Sequence, residues 1–329
     1  MRTVTAIVVN YNGAQFLPEA LDSLLRQTRR PEEIIVVDNA STDGSASLIR
    51  SRYPSVILIE APQNLGFAEG NNLAVQRATG DYLALLNSDA VAEERWIEDL
   101  VATLEREPRA AVAEGKIYYA APRDRIDQAG ALFNNLGNYW GRGHKETDDR
   151  GAFDEPAEVA GVTACAMVVR RAALADAPLF DGSLFMYGEE LDLTLRLRSA
   201  GWSVLFSPRA VVWHGGMQSL IRASDQPSLF QQFHANRNRL KIIARYYPLW
   251  LLVANLPFIL LGVLYWDLVF LMRGGPRFFV RAVGQQLAFI GRGFAARKRT
   301  VGKDARGWLP WMTRHSLRGL LAQKRRMEA

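Results

Sequence analysis

Carboxylates and side-chain amides recur in this sequence directly after short apolar runs, at Asn10-Tyr11-Asn12-Gly13, Asp38-Asn39-Ala40-Ser41-Thr42-Asp43-Gly44, Asn64-Leu65-Gly66-Phe67 and Asn87-Ser88-Asp89. Asp89 alone would repel a phosphate. A hard divalent cation between them turns the repulsion into attraction, since Mg²⁺ commonly binds through one or two carboxylates plus substrate phosphates, and a cation so held is a Lewis acid for a departing diphosphate. Asp38 could accept a hydrogen bond from a nucleobase ring N–H. The plainer reading of each loop is turn and N-cap chemistry, and Asp38 in particular could form an Asx turn or cap the helix after Gly44. Four such loops at equivalent places weigh against that reading for the set.

The elements that must position these residues are legible around them. Thr5 to Val9, Glu33 to Val37, Val56 to Ile59 and Tyr82 to Leu86 read as buried strands. Between them, Phe16, Leu17, Leu21, Leu24 and Leu25 form a helical stripe; Leu73, Ala74, Arg77 and Ala78 form a weaker one, and Trp96, Ile97, Leu100, Val101 and Leu104 a strong one. Alternating strands and helices predict an α/β fold with a mostly parallel sheet covered on both faces. Ligands of such sheets sit beyond the carboxyl ends of the strands, where the polar loops fall.

From Ala120 to Pro156 the pattern gives way to Gly, Asn, Asp and Arg, over a stretch long enough to be a functional loop or lid. Its Tyr139-Trp140-Gly141-Arg142-Gly143-His144 could stack on a sugar or pin the loop. Order returns with Val159 to Arg171. In the segment Phe185 to Arg198 the leucines at 191, 193, 195 and 197 alternate like a strand, but the acidic start, basic finish and following Gly201 predict a helix.

The chain has 329 residues, 49% apolar and 22% charged, which excludes a disordered tail protein, a collagen and a mini-scaffold. Its net charge of +6 conceals a division: residues 1–236 carry 22 Lys and Arg against 31 Asp and Glu, and residues 237–329 carry 18 against 3. Two regions are expected, a catalytic domain over 1–236 and a basic, helical region over 237–329. The basic region would seek phosphate in nucleic acid or anionic lipid. Within it, Leu249 to Met272 is a 24-residue stretch whose only charge is Asp267, about 36 Å long if helical. Pro257 and Gly262 interrupt it, and a simple span would export a tail with 14 Lys and Arg against 2 acidic residues from Arg273 onward, contrary to the positive-inside rule. A re-entrant or interfacial helix is therefore expected, with Trp266, Trp308 and Trp311 as interface anchors; the alternative is a helix buried in the core or a dimer interface. The lone Cys165 cannot form an intramolecular disulfide, and Arg2 followed only by Ala6 to Val9 reads as a buried strand, not a secretion signal, so a reducing compartment is expected.

Several chemistries lack their motifs: there is no G-x-x-x-x-G-K-[ST] loop or G-x-G-x-x-G after a strand, no H-E-x-x-H or cysteine cluster, and no G-x-S-x-G elbow. What remains resembles a known family. Ile7-Val8-Val9-Asn10-Tyr11-Asn12, Val37-Asp38-Asn39-Ala40-Ser41-Thr42-Asp43-Gly44-Ser45, Asn64-Leu65-Gly66-Phe67-Ala68 with Gly70-Asn71-Asn72, Asn87-Ser88-Asp89 and Glu189-Glu190-Leu191-Asp192-Leu193 are similar, in that order, to the inverting family 2 glycosyltransferases. The nearest branch is the rhamnosyltransferase-like one that builds bacterial surface polysaccharides, and the resemblance covers residues 3 to 245. It implies a GT-A fold, a nucleotide-sugar donor and Mg²⁺ or Mn²⁺.

Carried over by position, the resemblance puts the base at Asp38, the ribose near Asn87 and the metal at Asp89, with Asn10, Asn12, Asn39, Gly66, Asn71 and Ser88 around the nucleotide. His214, in Trp213-His214-Gly215-Gly216, resembles the family's histidine near diphosphate and metal; without the family it reads as a structural histidine. Asn87 replaces the first acid of the family's D-x-D, leaving ligation largely to Asp89. Glu190 stands where the family's E-D pair supplies the general base. Asp192 and Glu189 are reserves, better suited as acceptor contact and helix cap. Arg237 and Arg239 could meet diphosphate or lipid phosphate, or begin a solvated basic face.

The expected activity is transfer of a sugar from a UDP- or dTDP-sugar, dTDP-rhamnose by analogy with the branch, to a saccharide or lipid-linked saccharide. No Q-x-x-R-W motif is present, so one sugar per encounter is expected. The place of work would be the cytoplasmic face of the cell membrane, peripheral or monotopic. The competing readings are a sugar-nucleotide-binding scaffold without turnover and a nucleic-acid-binding protein using the basic tail.

Overall fold

The computed structural model describes residues 2–121, 123–144, 151, 153–175, 177–215, 228–297 and 304–312. Its first half follows the expected alternation: β1 (Val4–Asn10), α1 (Leu17–Leu25), β2 (Glu33–Asp38), α2 (Ser45–Arg52), β3 (Ile57–Glu60), α3 (Gly66–Arg77), β4 (Tyr82–Leu86), β5 (Ala90–Ala92) and α4 (Trp96–Arg106). Then come β6 (Ala110–Tyr119), β7 (Ile126–Gln128), β8 (Ala131–Phe133), β9 (Tyr139–Gly141), β10 (Ala157–Glu158), β11 (Ala166–Arg170), α5 (Glu189–Ser199), β12 (Ser203–His214) and α6 (Leu229–Tyr246). The main sheet runs β10-β12-β6-β11-β4-β1-β2-β3, with β5 paired to β12 and β7 to β6. Strands β4, β1, β2 and β3 are mutually parallel, whereas β11 is antiparallel to both β4 and β6.

The two-residue period of the strands sorts their side chains into two cores. Val4, Ala6 and Val8 of β1 face Leu17, Leu21 and Leu24 of α1 and Leu100 of α4. Ile7 faces the other way, with Ala68 and Ala74 of α3 and Leu193 and Leu197 of α5. Leu100 is wholly buried, so its truncation to alanine would cost about 2–5 kcal/mol.

Helix α5 explains the alternating leucines. Leu193 and Leu197 pack on the sheet, while Leu191 and Leu195 join a third core with Leu240, Ile243 and Tyr246 of α6 and with Leu251, Ile259 and Trp308. Two i,i+4 pairs on a helix buried from two sides give the same sequence signature as a strand. That third core is shared across residue 236, so the expected 236/237 boundary falls inside α6, a helix opened by a capping box between Ser228 and Gln231.

Two segments differ from expectation. The 120–156 stretch is not a featureless loop: it contains β7, β8 and β9, and β8 and β9 form a hairpin pairing Leu132 with Trp140. Three-residue strands are too short to show a period. The apolar stretch from Leu249 continues as helix to Ala296 but folds back at Gly275 (φ 77°), just before Pro276. In one straight helix Asp267 and Gln286 would be about 28 Å apart; here Gln286 Nε2 donates to Asp267 Oδ1 at 3.0 Å, satisfying the stretch's only charge. The result is a helical hairpin with arms 249–274 and 276–296.

Candidate active site

Among the described residues, a cavity opens at the carboxyl edge of the parallel strands and a second adjoins it. The first, of about 550 Å³, is bounded by Asn39 after β2, Gly66 at the start of α3, Asn87, Ser88 and Asp89 after β4, His214 at the end of β12, and the Phe185–Tyr187 segment. The second, of about 400 Å³, is bounded by Trp140 of β9, Thr163, Glu190 of α5, Asn236 and Arg239 of α6, and Trp266 of the hairpin. Tyr187 lines both.

Asp89 and His214 meet in the first cavity, with Asp89 Oδ1 3.5 Å from His214 Nε2. The other ring nitrogen, Nδ1, lies 2.9 Å from Asp127 Oδ2. Burial alone would raise the Asp127 pKa, but hydrogen bonds from His144 and His214 hold its carboxyl well below the usual range. Burial opposes charge on His214, and its contacts with Cys165, Asp127 and Asp89 outweigh that and push its pKa well up. Burial also pushes the Cys165 thiol up to about 11, so it is no nucleophile.

This donor set fits a divalent ion. A histidine that gives Nδ1–H to a carboxylate and presents Nε2 beside a second carboxylate has the outer-shell arrangement of a ligating imidazole, and a cation at Nε2 would replace its proton. Among the described residues no group of three or more His, Cys, Asp or Glu is placed to hold a metal, so the remaining positions would fall to substrate phosphate oxygens and water, as suits Mg²⁺.

Asn39, Gly66, Asn87 and Ser88 stand on the wall of the first cavity; Asn10, Asn12, Asp38 and Asn71 do not line it. Asp38 is 3% exposed, and its two oxygens accept from Asn10 Nδ2 and Ser41 N, each at 3.0 Å. Asn12 Oδ1 accepts from Thr42 N at 2.8 Å. These residues lock the β1 and β2 loops together. Asn39 Nδ2 donates to Gly66 O at 3.0 Å, and Asn71 Nδ2 to Phe67 O within α3.

Gly66 has φ +79°, and a Cβ there would come within 2.4 Å of the Phe185 ring. This close approach ties the first cavity to the turn preceding α5. That turn is strained: Phe185 and Tyr187 both have φ near 68°, a conformation costing on the order of 1–3 kcal/mol per residue. Asn238 of α6, fully buried, holds it with Nδ2 within 2.7–2.9 Å of the carbonyl oxygens of Leu184, Met186 and Tyr187.

Glu190 lies just past this turn. Burial pushes its pKa above the ordinary value, against the amides of Glu190, Ala164 and Gly188 and the Thr163 hydroxyl, which favour the charged form. Burial and the neighbouring Glu190 push buried Glu189 well up. Asp192 lines neither cavity; it pairs with Arg245 at 3.1 Å, and Arg245 also reaches Asp181. Sequence reasoning missed Asp127, Asn238 and Glu114. Asp127 lies in the stretch read as a loop, Asn238 makes contacts with residues some fifty positions away, and Glu114 sits in a strand, so no local pattern marks them.

The mixed sheet with its parallel β4-β1-β2-β3 half, Asp89 following β4 and His214 ending β12, has the GT-A glycosyltransferase fold. The Glycosyl transferase family 2 model matches residues 5–176, and the chain belongs to that family. It is 30% identical over 228 residues to the N-acetylglucosaminyl-diphospho-decaprenol L-rhamnosyltransferase of Mycobacterium tuberculosis, covering 63% of this chain and 74% of that one. That similarity agrees with the rhamnosyltransferase-like branch. Among solved structures, GalNAc-T7 with UDP, GalNAc and Mn²⁺ shares the fold with a TM-score of 0.59 at 17% identity, covering 75% of this chain and 48% of that one. The mannosyltransferase PcManGT of Pyrobaculum calidifontis, with GDP-Man and Mn²⁺, does so with a TM-score of 0.53 at 18% identity, covering 94% and 87%.

Proposed function

We propose that the chain transfers a sugar, with inversion, from a UDP- or dTDP-sugar to a hydroxyl of a saccharide carried on a lipid. The observation that carries this reading is the pair of cavities meeting at Tyr187, one with Asp89 and His214 on its wall and the other with Glu190. The nucleotide would lie along Asn39, Gly66, Asn87 and Ser88. Asn10, Asn12 and Asn71 support that wall; for Asp38 to accept a base N–H, as the resemblance implies, it would release the Ser41 amide.

Asp89 and His214 would hold Mg²⁺ or Mn²⁺, which when bound supplies a Lewis acid for the departing diphosphate. Glu190 takes the proton of the acceptor hydroxyl as its oxygen bonds the anomeric carbon, and the bond from that carbon to the phosphate oxygen breaks on the opposite face. A carboxyl raised by burial is a better base than an exposed glutamate, since its pKa lies closer to the working pH. No covalent enzyme intermediate is required. Rhamnose as the sugar rests on the rhamnosyltransferase relative.

The hairpin supports a place on an anionic membrane surface. Among the described residues it is the helix long and apolar enough to cross a membrane by length and composition. Trp250, Val253, Leu261, Leu264 and Leu268 on its first arm are each more than half exposed, and Arg273, Arg277, Arg281 and Arg292 of the hairpin are exposed too. This pattern matches an interfacial anchor on the cytoplasmic leaflet.

The test is a screen of nucleotide sugars with Mg²⁺ or Mn²⁺ against the wild-type chain and Glu190→Gln, reading nucleoside diphosphate release and the anomeric configuration of the product. Inverted product from the wild type alone is expected. Retention of configuration, or equal release by both proteins, would refute the reading.

A further inference from the structure

The second cavity contains a charge that the transfer reaction leaves unexplained. Arg239 lines it together with Glu190, and its guanidinium is bonded only to neutral groups: Nη1 donates to Leu136 O at 2.9 Å and Nη2 to Asn236 Oδ1 at 3.4 Å. Among the described residues no carboxylate pairs with it. Lys241 and Arg245 of the same helix differ, since Lys241 pairs with Asp181 and Arg245 with Asp181 and Asp192; buried Arg237 also meets uncharged partners, Asn238, Gln285 and the Leu184 carbonyl, but lines neither cavity. Burial pushes the Arg239 pKa down, yet arginine stays protonated in proteins. Arg239 is half-buried; a cation partly withdrawn from water without a counter-charge is costly, and an anion entering the cavity would relieve that cost.

The position of the cavity says what kind of anion. One wall is the inner face of the hairpin's first arm, which places Trp266 on the cavity. Gly262, a turn earlier, brings the arm's backbone close to the guanidinium: a Cβ there would stand in ordinary contact, 3.7 Å from Nη2. The outer face of the same arm carries the exposed Leu261, Leu264 and Leu268. A helix with its side chains is about 10–12 Å across, so the cavity lies one helix diameter from an apolar surface. A molecule with a lipid tail on that surface could place its first polar group at Arg239 and its next at Glu190.

We infer that Arg239 is the phosphate-binding residue of an acceptor subsite, so that this cavity takes a saccharide joined to its lipid through a phosphate. The inference rests on the proposed transfer reaction and names the chemistry of its acceptor. Trp140 and Trp266 would flank the sugar, and the phosphate would supply the charge that Arg239 lacks.

The probe is farnesyl diphosphate, titrated into the full chain in detergent by calorimetry, with the first cavity filled by saturating UDP and Mn²⁺. Farnesol and phosphatidylglycerol vesicles serve as neutral and bulk-lipid controls. Wild type is expected to bind the diphosphate and not farnesol. Arg239→Gln should lose about 10- to 100-fold in affinity, the range of one charged hydrogen bond or two. Arg239→Lys keeps the charge without the Leu136 tether and should lose only a fewfold.

Equal losses in Arg239→Gln and Arg239→Lys would assign the residue to packing and overturn the inference. So would unchanged binding in Arg239→Gln, or no wild-type binding with the first cavity either filled or empty. Vesicle binding that falls in Arg239→Gln while farnesyl diphosphate binding does not would move the phosphate contact to the bilayer and also overturn it. Failure of UDP to bind the wild type would instead strike the functional reading.

Discussion

The two cavities share Tyr187 but are built in different ways. The first is made where parallel strands end: Asn39, Asn87, Ser88 and Asp89 occupy the loops after β2 and β4, and the topology of the sheet brings those loops to one edge. The second is assembled from a short hairpin, the start of α5, one face of α6 and the arm of an apolar helix. One follows from local order and the other from packing between distant segments. Their electrostatics differ in the same sense. Beside the first, Asp127 is held low by two histidines; at the second, burial pushes Glu190 up, as it does Glu114 and Glu189, which interact with Glu190 but do not line the cavity.

Glu190→Gln should separate the cavities most sharply. The amide keeps the size of the side chain and removes the base, so turnover is expected to fall by about 10²–10⁴-fold. Calorimetric affinity for the nucleotide sugar should stay at the wild-type value. A parallel loss of donor affinity would mean that the two cavities do not divide the work.

Asp89→Asn should break the division from the other side. Without the carboxylate both donor affinity and turnover should drop, turnover by about a hundredfold or more, because a bound cation's charge stabilisation amounts to several kcal/mol. Excess Mn²⁺ should restore part of it. If chelation leaves the wild type fully active, Asp89 has no metal to hold.

Asp127→Asn addresses how His214 is oriented. Loss of a carboxylate behind a ligating histidine costs about 10- to 100-fold in metal affinity. Mn²⁺ titrations of activity should shift by that factor, with maximal turnover at saturating metal close to wild type. An unshifted titration would remove His214 from the metal site.

The same contrast explains what the sequence disclosed. Asn87-Ser88-Asp89 could be placed because a buried run, Tyr82–Leu86, ends directly before it, and helix α5 was legible from its end signals despite strand-like leucines. Asp38 was legible as a strand-end residue, but the Asn10 amide that occupies one of its oxygens lies 28 positions earlier. Nothing local marks Asn238 as the residue holding the turn before Glu190, whereas Gly274-Gly275-Pro276 is a local breaker at the point where the apolar helix reverses. Charge composition located a change near residue 236, while the packing that continues through α6 depends on contacts composition does not encode.

The smallest expected effect concerns the buried acids behind the second cavity. Glu114 is wholly buried in β6, with Oε1 accepting from Thr163 N at 2.8 Å. Burial pushes its pKa well above the ordinary 4.5, only partly offset by the Thr163 and Gly130 amides. The folded chain therefore holds this proton more tightly than the unfolded chain. Between pH 4.5 and the raised folded value the native state binds more protons, so the stability contribution is present below that window and is lost as pH rises through it. Glutamine has no such dependence. Whatever the absolute Tm of Glu114→Gln, its difference from wild type should move in favour of the variant from about pH 5 to about pH 8, by a few degrees in a domain of this size. Scanning calorimetry at the two pH values measures it. A constant difference would place Glu114 on the same electrostatic footing as an exposed glutamate and remove it from the contrast between the cavities.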